Sequence, residues 1–90
     1  KYVPLNLEEF NNQDKYLVFS GIGNHKTFIS MLRKNNMNII KEIEFPDHYR
    51  YAQKEIDDII SMSEKLNCKI ITTEKDFLRL SKKIKKILIF

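Results

Sequence analysis

Ninety residues are enough for one small domain, and 42% hydrophobic with 31% charged residues is the balance of an ordinary globular chain. No apolar run approaches the roughly 20 residues that span a bilayer. The net charge of +4 comes without the aromatic interleaving or motif of a nucleic-acid interface, so nucleic acid is not an expected partner.

Residues 1–15, with Pro4 and the polar run Asn11-Asn12-Gln13-Asp14, read as a connector. Tyr16-Leu17-Val18-Phe19 is a short apolar run of the kind expected for a strand buried on both faces. Both glycines of the chain follow, Gly21 and Gly23, where they are expected to take positive φ or to let another group approach the backbone. Asn24 is the expected N-cap of a helix over 25–35, its side-chain oxygen accepting a first-turn N–H. Phe28, Met31 and Leu32 supply its apolar stripe, His25 is expected to be exposed at its start, and Asn35-Asn36 ends it.

A strand over 39–45 follows, with Ile39, Ile43 and Phe45 on one face and Ile40, Glu42 and Glu44 on the other. This half-polar alternation predicts an edge strand, stopped by Pro46. The second helix, 53–67, carries Ile56, Ile59, Ile60 and Leu66 inward. Cys68 cannot form an internal disulfide, being the only cysteine, and reads as a buried, inert thiol of a reducing compartment. Residues 69–73 form the third strand and a short helix bearing Phe77, Leu78 and Leu80 comes next. Lys82, Lys83, Lys85 and Lys86 read as a solvated connection before a fourth strand at 87–90.

The order βαβαβαβ predicts an α/β domain: a small three-layer sandwich around a four-stranded, mainly parallel sheet, Rossmann-like, with strand order 2-1-3-4. In such a sheet the loops leaving the carboxyl ends of the strands gather on one edge, where these folds bind ligands. Three polar clusters sit in those loops: Ser20-Gly21-Ile22-Gly23-Asn24, Pro46-Asp47-His48-Tyr49, and Thr72-Thr73-Glu74-Lys75-Asp76.

Each cluster also has a plain structural explanation. The glycine turn lies where amides and the helix dipole favour an anion, yet two-glycine strand–helix turns are common architecture, and no P-loop motif occurs. Asp47 beside His48 suits proton transfer, with the carboxylate orienting the imidazole; the alternative is a solvated loop with a local Asp47 turn bond. Thr73 and Asp76 have capping-box-like spacing, while Lys75 is able to reach a phosphate or carboxylate near the crevice. Two histidines and no compact carboxylate set exclude an autonomous metal site from the expectations.

Taken in order, Phe19-Ser20-Gly21-Ile22-Gly23-Asn24, Phe28, Phe45-Pro46-Asp47-His48-Tyr49-Arg50-Tyr51 and Thr72-Thr73-Glu74-Lys75-Asp76 resemble the C-terminal part of the tetraacyldisaccharide 4'-kinase family. The resemblance covers roughly residues 16–90. It implies transfer of the ATP γ-phosphate, with Mg²⁺, to the 4' hydroxyl of a lipid A disaccharide 1-phosphate precursor at the cytoplasmic face of the inner membrane of Gram-negative bacteria. It also implies two α/β lobes, of which this chain resembles the smaller C-terminal one; the larger N-terminal lobe carries the P-loop and binds most of the ATP and Mg²⁺. By the resemblance Asp47 and His48 are the catalytic candidates, His48 assisting an aspartate of the other lobe. Gly21, Gly23, Asn24, Thr73, Glu74, Lys75 and Asp76 are expected to line the cleft between lobes and contact the nucleotide. The family usually has proline where this chain has His25, and often a second histidine where it has Tyr49. Because the P-loop belongs to the other lobe, this chain alone is expected to be inactive; it begins at Lys1 and not at an initiator methionine, and is expected to be a fragment of a longer enzyme. The competing expectation is an autonomous small α/β module that holds a nucleotide or other ligand without catalysis.

Overall fold

A computed structural model of the chain describes residues 14–80 and 87–89. Its elements are β1 (Lys15–Ser20), α1 (His25–Lys34), β2 (Asn38–Glu44), α2 (Gln53–Leu66), β3 (Lys69–Thr72), α3 (Glu74–Leu78) and β4 (Ile87–Ile89). The expected lysine cluster, Phe90 and all but the last two residues of the expected connector lie outside the described residues. Lys15 already belongs to β1, and Asp14 accepts a hydrogen bond from Lys69 Nζ at 2.7 Å.

The strands form one sheet in the order β2-β1-β3-β4, and every pairing is parallel. Parallel neighbours need crossovers that cover both faces, and β1, central with an apolar run from Tyr16 to Phe19, is buried from Tyr16 to Ser20. Its alternation splits the core in two. Tyr16 and Val18 join Ile71 on one face, under Phe28, Ile29 and Leu32 of α1. Leu17 and Phe19 join Ile70 on the other, under Ile56 and Ile59 of α2, with Phe77 and Leu80 alongside. Burying each of these large side chains contributes about 1.5–3 kcal/mol.

Several expectations change at this level. Met31 is 39% exposed and Ile29 takes its place on the inner stripe of α1. In α2 Leu66, expected to face inward, is exposed, while Ser63 is buried and donates to the Ile60 carbonyl at 2.7 Å. Leu78 points outward, whereas Phe77 and Leu80 are core residues.

The largest change is in β2. Tyr16 pairs with Ile39 but Leu17 pairs with Lys41, so Ile40 is an extra residue, a bulge in the edge strand. Alternation restarts after it. Ile39 therefore packs on the α1 side, while Ile43 and Phe45 pack on the α2 side. The three do not share a face as period-2 counting predicts, because an inserted residue inverts the phase.

Candidate functional site

The three polar clusters do meet. Ile22, Gly23 and Asn24, then Asp47 and His48, then Thr73, Glu74 and Lys75 line one groove of ≈ 510 Å³ beyond the carboxyl ends of the strands. Arg79, which the sequence reading passed over, completes the lining. Gly21 and Asp76, expected in the lining, lie beneath it instead and hold the clusters together.

Gly21 is the junction of all three clusters. Its N–H donates to Asp76 Oδ1 at 2.9 Å, and its carbonyl accepts from the His48 amide at 3.0 Å. Neither glycine takes positive φ, so the expected left-handed turn is absent. Close approach is what Gly21 supplies: a Cβ there would meet the Pro46 carbonyl oxygen and Tyr51 Oη at 3.0 Å and Asp76 Oδ1 at 3.2 Å. At Gly23 an added Cβ meets Asp47 Oδ2 at an ordinary 3.5 Å.

The positive φ belongs to His48 instead, at 60°. A non-glycine residue in this region is uncommon, and a left-handed backbone costs an L-residue roughly 1–2 kcal/mol. The Gly21 carbonyl holds His48 there, and its imidazole is 80% exposed at the groove. The loop is braced from below by aromatic rings. Phe45 stacks on Tyr49 with centroids 4.9 Å apart, and Phe45, Tyr49 and Phe19 each meet Tyr51 edge-on at 5.0–5.4 Å. Tyr49 Oη donates to Glu55 Oε2 at 2.5 Å, holding that carboxyl below and the phenol above their ordinary pKa values.

Asp47 lies beside the imidazole but does not hydrogen-bond it. Its Oδ2 is 3.7 Å from His48 Nε2, beyond hydrogen-bond reach. The ring's partner is Arg79, whose Nη2 is 3.2 Å from Nδ1. Nη1 of the same guanidinium donates to the Gly21 carbonyl at 3.0 Å and lies 3.5 Å from Asp76 Oδ1.

Asp76 is fully buried and its carboxylate is saturated with donors. Oδ1 accepts from the Gly21 amide and, at 2.9 Å, from Tyr51 Oη; Oδ2 accepts from Thr73 Oγ1 at 2.6 Å. Thr73 caps α3 as expected, accepting from the Asp76 amide at 3.1 Å. Burial first, then the Asp76 charge and hydrogen bond, push the Tyr51 hydroxyl far above its ordinary pKa, so it remains a donor. Asp76 is a structural hub beneath the groove. Among the described residues no group of three or more His, Cys, Asp or Glu side chains converges as a metal site.

On the opposite face of the sheet end, His25 departs from expectation: it is buried, at 2% exposure. Its Nε2 faces Glu42 Oε1 at 3.2 Å, and its Nδ1 faces Ser20 Oγ at 2.5 Å. A carboxylate only accepts, so Nε2 carries a proton, and in the neutral ring Ser20 donates to Nδ1. Ser20 shares the strand parity of Tyr16 and Val18, which was the available signal that its side chain points toward α1. Asn24 starts α1 without a side-chain capping bond; only its carbonyl participates, accepting from the Phe28 amide at 3.1 Å. Cys68 is half-buried, and burial raises its thiol pKa against a smaller opposing pull from Lys15, as suits an unreactive thiol.

A sequence profile described as Tetraacyldisaccharide-1-P 4'-kinase matches residues 4–89. The chain is 58% identical over 80 residues to the tetraacyldisaccharide 4'-kinase of Pelagibacter ubique (strain HTCC1062), covering 89% of this chain and 26% of that protein. It is 38% identical over 82 residues to the enzyme of that name from Rickettsia akari (strain Hartford), covering 88% of this chain and 25% of the relative. The chain thus spans about a quarter of the length of these curated relatives. No solved structure matches it.

Proposed function

We propose, from the premise that this chain belongs to the tetraacyldisaccharide-1-P 4'-kinase family, that residues 16–90 form the C-terminal lobe of such a kinase. The complete enzyme would transfer the ATP γ-phosphate to the 4' hydroxyl of a tetraacyldisaccharide 1-phosphate at the cytoplasmic face of the inner membrane. The relatives' names, and the quarter of their length that the chain spans, support that reading. So does the sheet, whose β2-β1-β3-β4 order and helices on both faces suit a Rossmann-like fold that binds ligands beyond its strand ends.

The observation that carries the proposal is the imidazole of His48, held at a left-handed residue and exposed to the groove that all three clusters share. Phosphoryl transfer depends on positioning and charge stabilisation by a phosphate cradle and metal ions. Lys75 and the amino end of α1 border the groove and suit phosphate oxygens. They fit one wall of a nucleotide site. An opposing N-terminal lobe with a P-loop would hold most of the ATP and the Mg²⁺, whose chemistry is to neutralise charge on the transferring phosphate. His48 would then act at the reacting hydroxyl, assisting an aspartate of that lobe, with Asp47 adding negative charge nearby.

The test is His48→Ala in the complete kinase, assayed at steady state with ATP and the disaccharide 1-phosphate. General acid–base assistance of this kind contributes typically about 10²–10⁴-fold, so kcat should fall by that order. A wild-type rate would remove His48 from the chemistry.

A further inference from the structure

We propose that Arg79 is a positioning residue that fixes the ring tautomer of His48, so that His48 offers an N–H, and not a lone pair, to the groove. The inference rests on the reading of His48 as the residue that acts there. An arginine can only donate, and its Nη2 is 3.2 Å from His48 Nδ1. Nδ1 must therefore present its lone pair, which leaves the proton of the neutral ring on Nε2.

The contact is more than a chance meeting of surface side chains, because the guanidinium is held from behind. Nη1 donates to the Gly21 carbonyl at 3.0 Å and lies 3.5 Å from the fully buried Asp76 carboxylate. That carboxylate is itself fixed by the Gly21 amide and the Tyr51 hydroxyl. The Arg79 side chain is only 23% exposed while the imidazole is 80% exposed, so the anchored partner dictates to the free one. One plane carries both tasks: one guanidinium nitrogen grips the glycine turn and the other reaches the ring. A lysine ammonium, a point charge without that planar fork, cannot reproduce the pair of contacts in the same geometry.

The consequence is a chemical role. With Nδ1 occupied, neutral His48 can donate from Nε2 to an anionic acceptor in the groove, a carboxylate or a phosphate oxygen. It cannot take a proton through Nε2. The nearest described carboxylate, Asp47, stands 3.7 Å from that nitrogen, too far to take the hydrogen bond.

Long-range ¹H–¹⁵N correlation of the histidine rings in the 90-residue chain, at a pH about 1.5–2 units above the ordinary histidine pKa, reads the tautomer directly. The wild-type His48 ring should be Nε2–H alone. Arg79→Met, which keeps the stem and removes the donors, should bring in the Nδ1–H form, and Arg79→Lys should restore the single form only in part. An Nδ1–H signal in the wild type overturns the proposal, whether or not the variants fold. So does an unchanged tautomer in an Arg79→Met chain whose amide spectrum is otherwise native.

In the complete kinase, Arg79→Met should lower kcat roughly 10- to 100-fold with little change in KM, short of the ~10⁴ that a wrong tautomer costs in a serine protease. In a His48→Ala background the same change should cost almost nothing further, and a fully additive loss would contradict the assignment. A wild-type rate for His48→Ala alone would instead sink the kinase role of His48 and leave the ring measurement standing, so the two failures are distinguishable.

Discussion

Gly21 sits where three groups converge, and its missing side chain is what lets them. A methyl there would press the Pro46 carbonyl, Tyr51 Oη and Asp76 Oδ1 together, and overpacking of this kind costs typically about 1–3 kcal/mol. Gly21→Ala should therefore lower the denaturation midpoint clearly, while Gly23→Ala, whose Cβ would make only an ordinary contact with Asp47, should stay within about 0.5 kcal/mol; urea titrations of the two variants separate these outcomes. Tyr51 gives a second prediction at this scale. Its folded pKa lies above that of an unfolded tyrosine, so its contribution is complete below about pH 10 and is lost as the pH rises further, because the unfolded phenol ionises first. Stability followed by circular dichroism should fall above about pH 10, and the fall should be shallower in Tyr51→Phe. That variant should also start about 1 kcal/mol lower at neutral pH, having lost one hydrogen bond to Asp76.

At the scale of elements, the start of α2 is half a cap. Ala52 has the extended backbone of an N-cap, and its amide donates to Glu55 Oε1 at 2.9 Å, but an alanine side chain has nothing with which to accept the first-turn N–H. Ala52→Ser should complete the reciprocal pair and stabilise the chain by about 0.5–1 kcal/mol, seen as a raised Tm. Elements of this kind were largely legible in advance. Apolar runs located β1 and β3, and the Glu42 and Glu44 alternation identified β2 as an edge strand, because burial on one or two faces writes itself into local residue order. The gathering of the three clusters also followed from strand order alone. What stayed hidden depended on contacts distant in sequence. The bulge at Ile40 has no local mark, so Ile39 and Ile43 were assigned to the same face. Asp76 reads locally as a groove residue, because nothing beside it in sequence marks the Gly21 amide, 55 positions away, that donates to it. Arg79, one charged residue in a charged stretch, gave no sign of its 58-residue reach back to the glycine turn.

For the whole molecule, the groove is a single open wall. Its cationic residues stand beside Asp47 and Glu74, and no metal-binding group of three converges among the described residues. On the proposal that this chain is one lobe of a two-lobed kinase, the 90-residue chain alone should show no phosphoryl transfer, and calorimetry with Mg²⁺-ATP should detect no binding in the submillimolar range. Submillimolar binding would favour an autonomous nucleotide-holding module over a lobe that requires its counterpart. The bulge has a consequence on this same scale. Ile40 is surplus length: the ladder runs from the Tyr16–Ile39 pair to the Leu17–Lys41 pair without needing it. Removing that one residue would join two segments already in phase, leaving Ile39 toward one helix layer and Phe45 toward the other. The edge strand thus contains one position where the chain can shorten by a residue while its two halves keep their facings, and the His48 loop keeps its place at the rim.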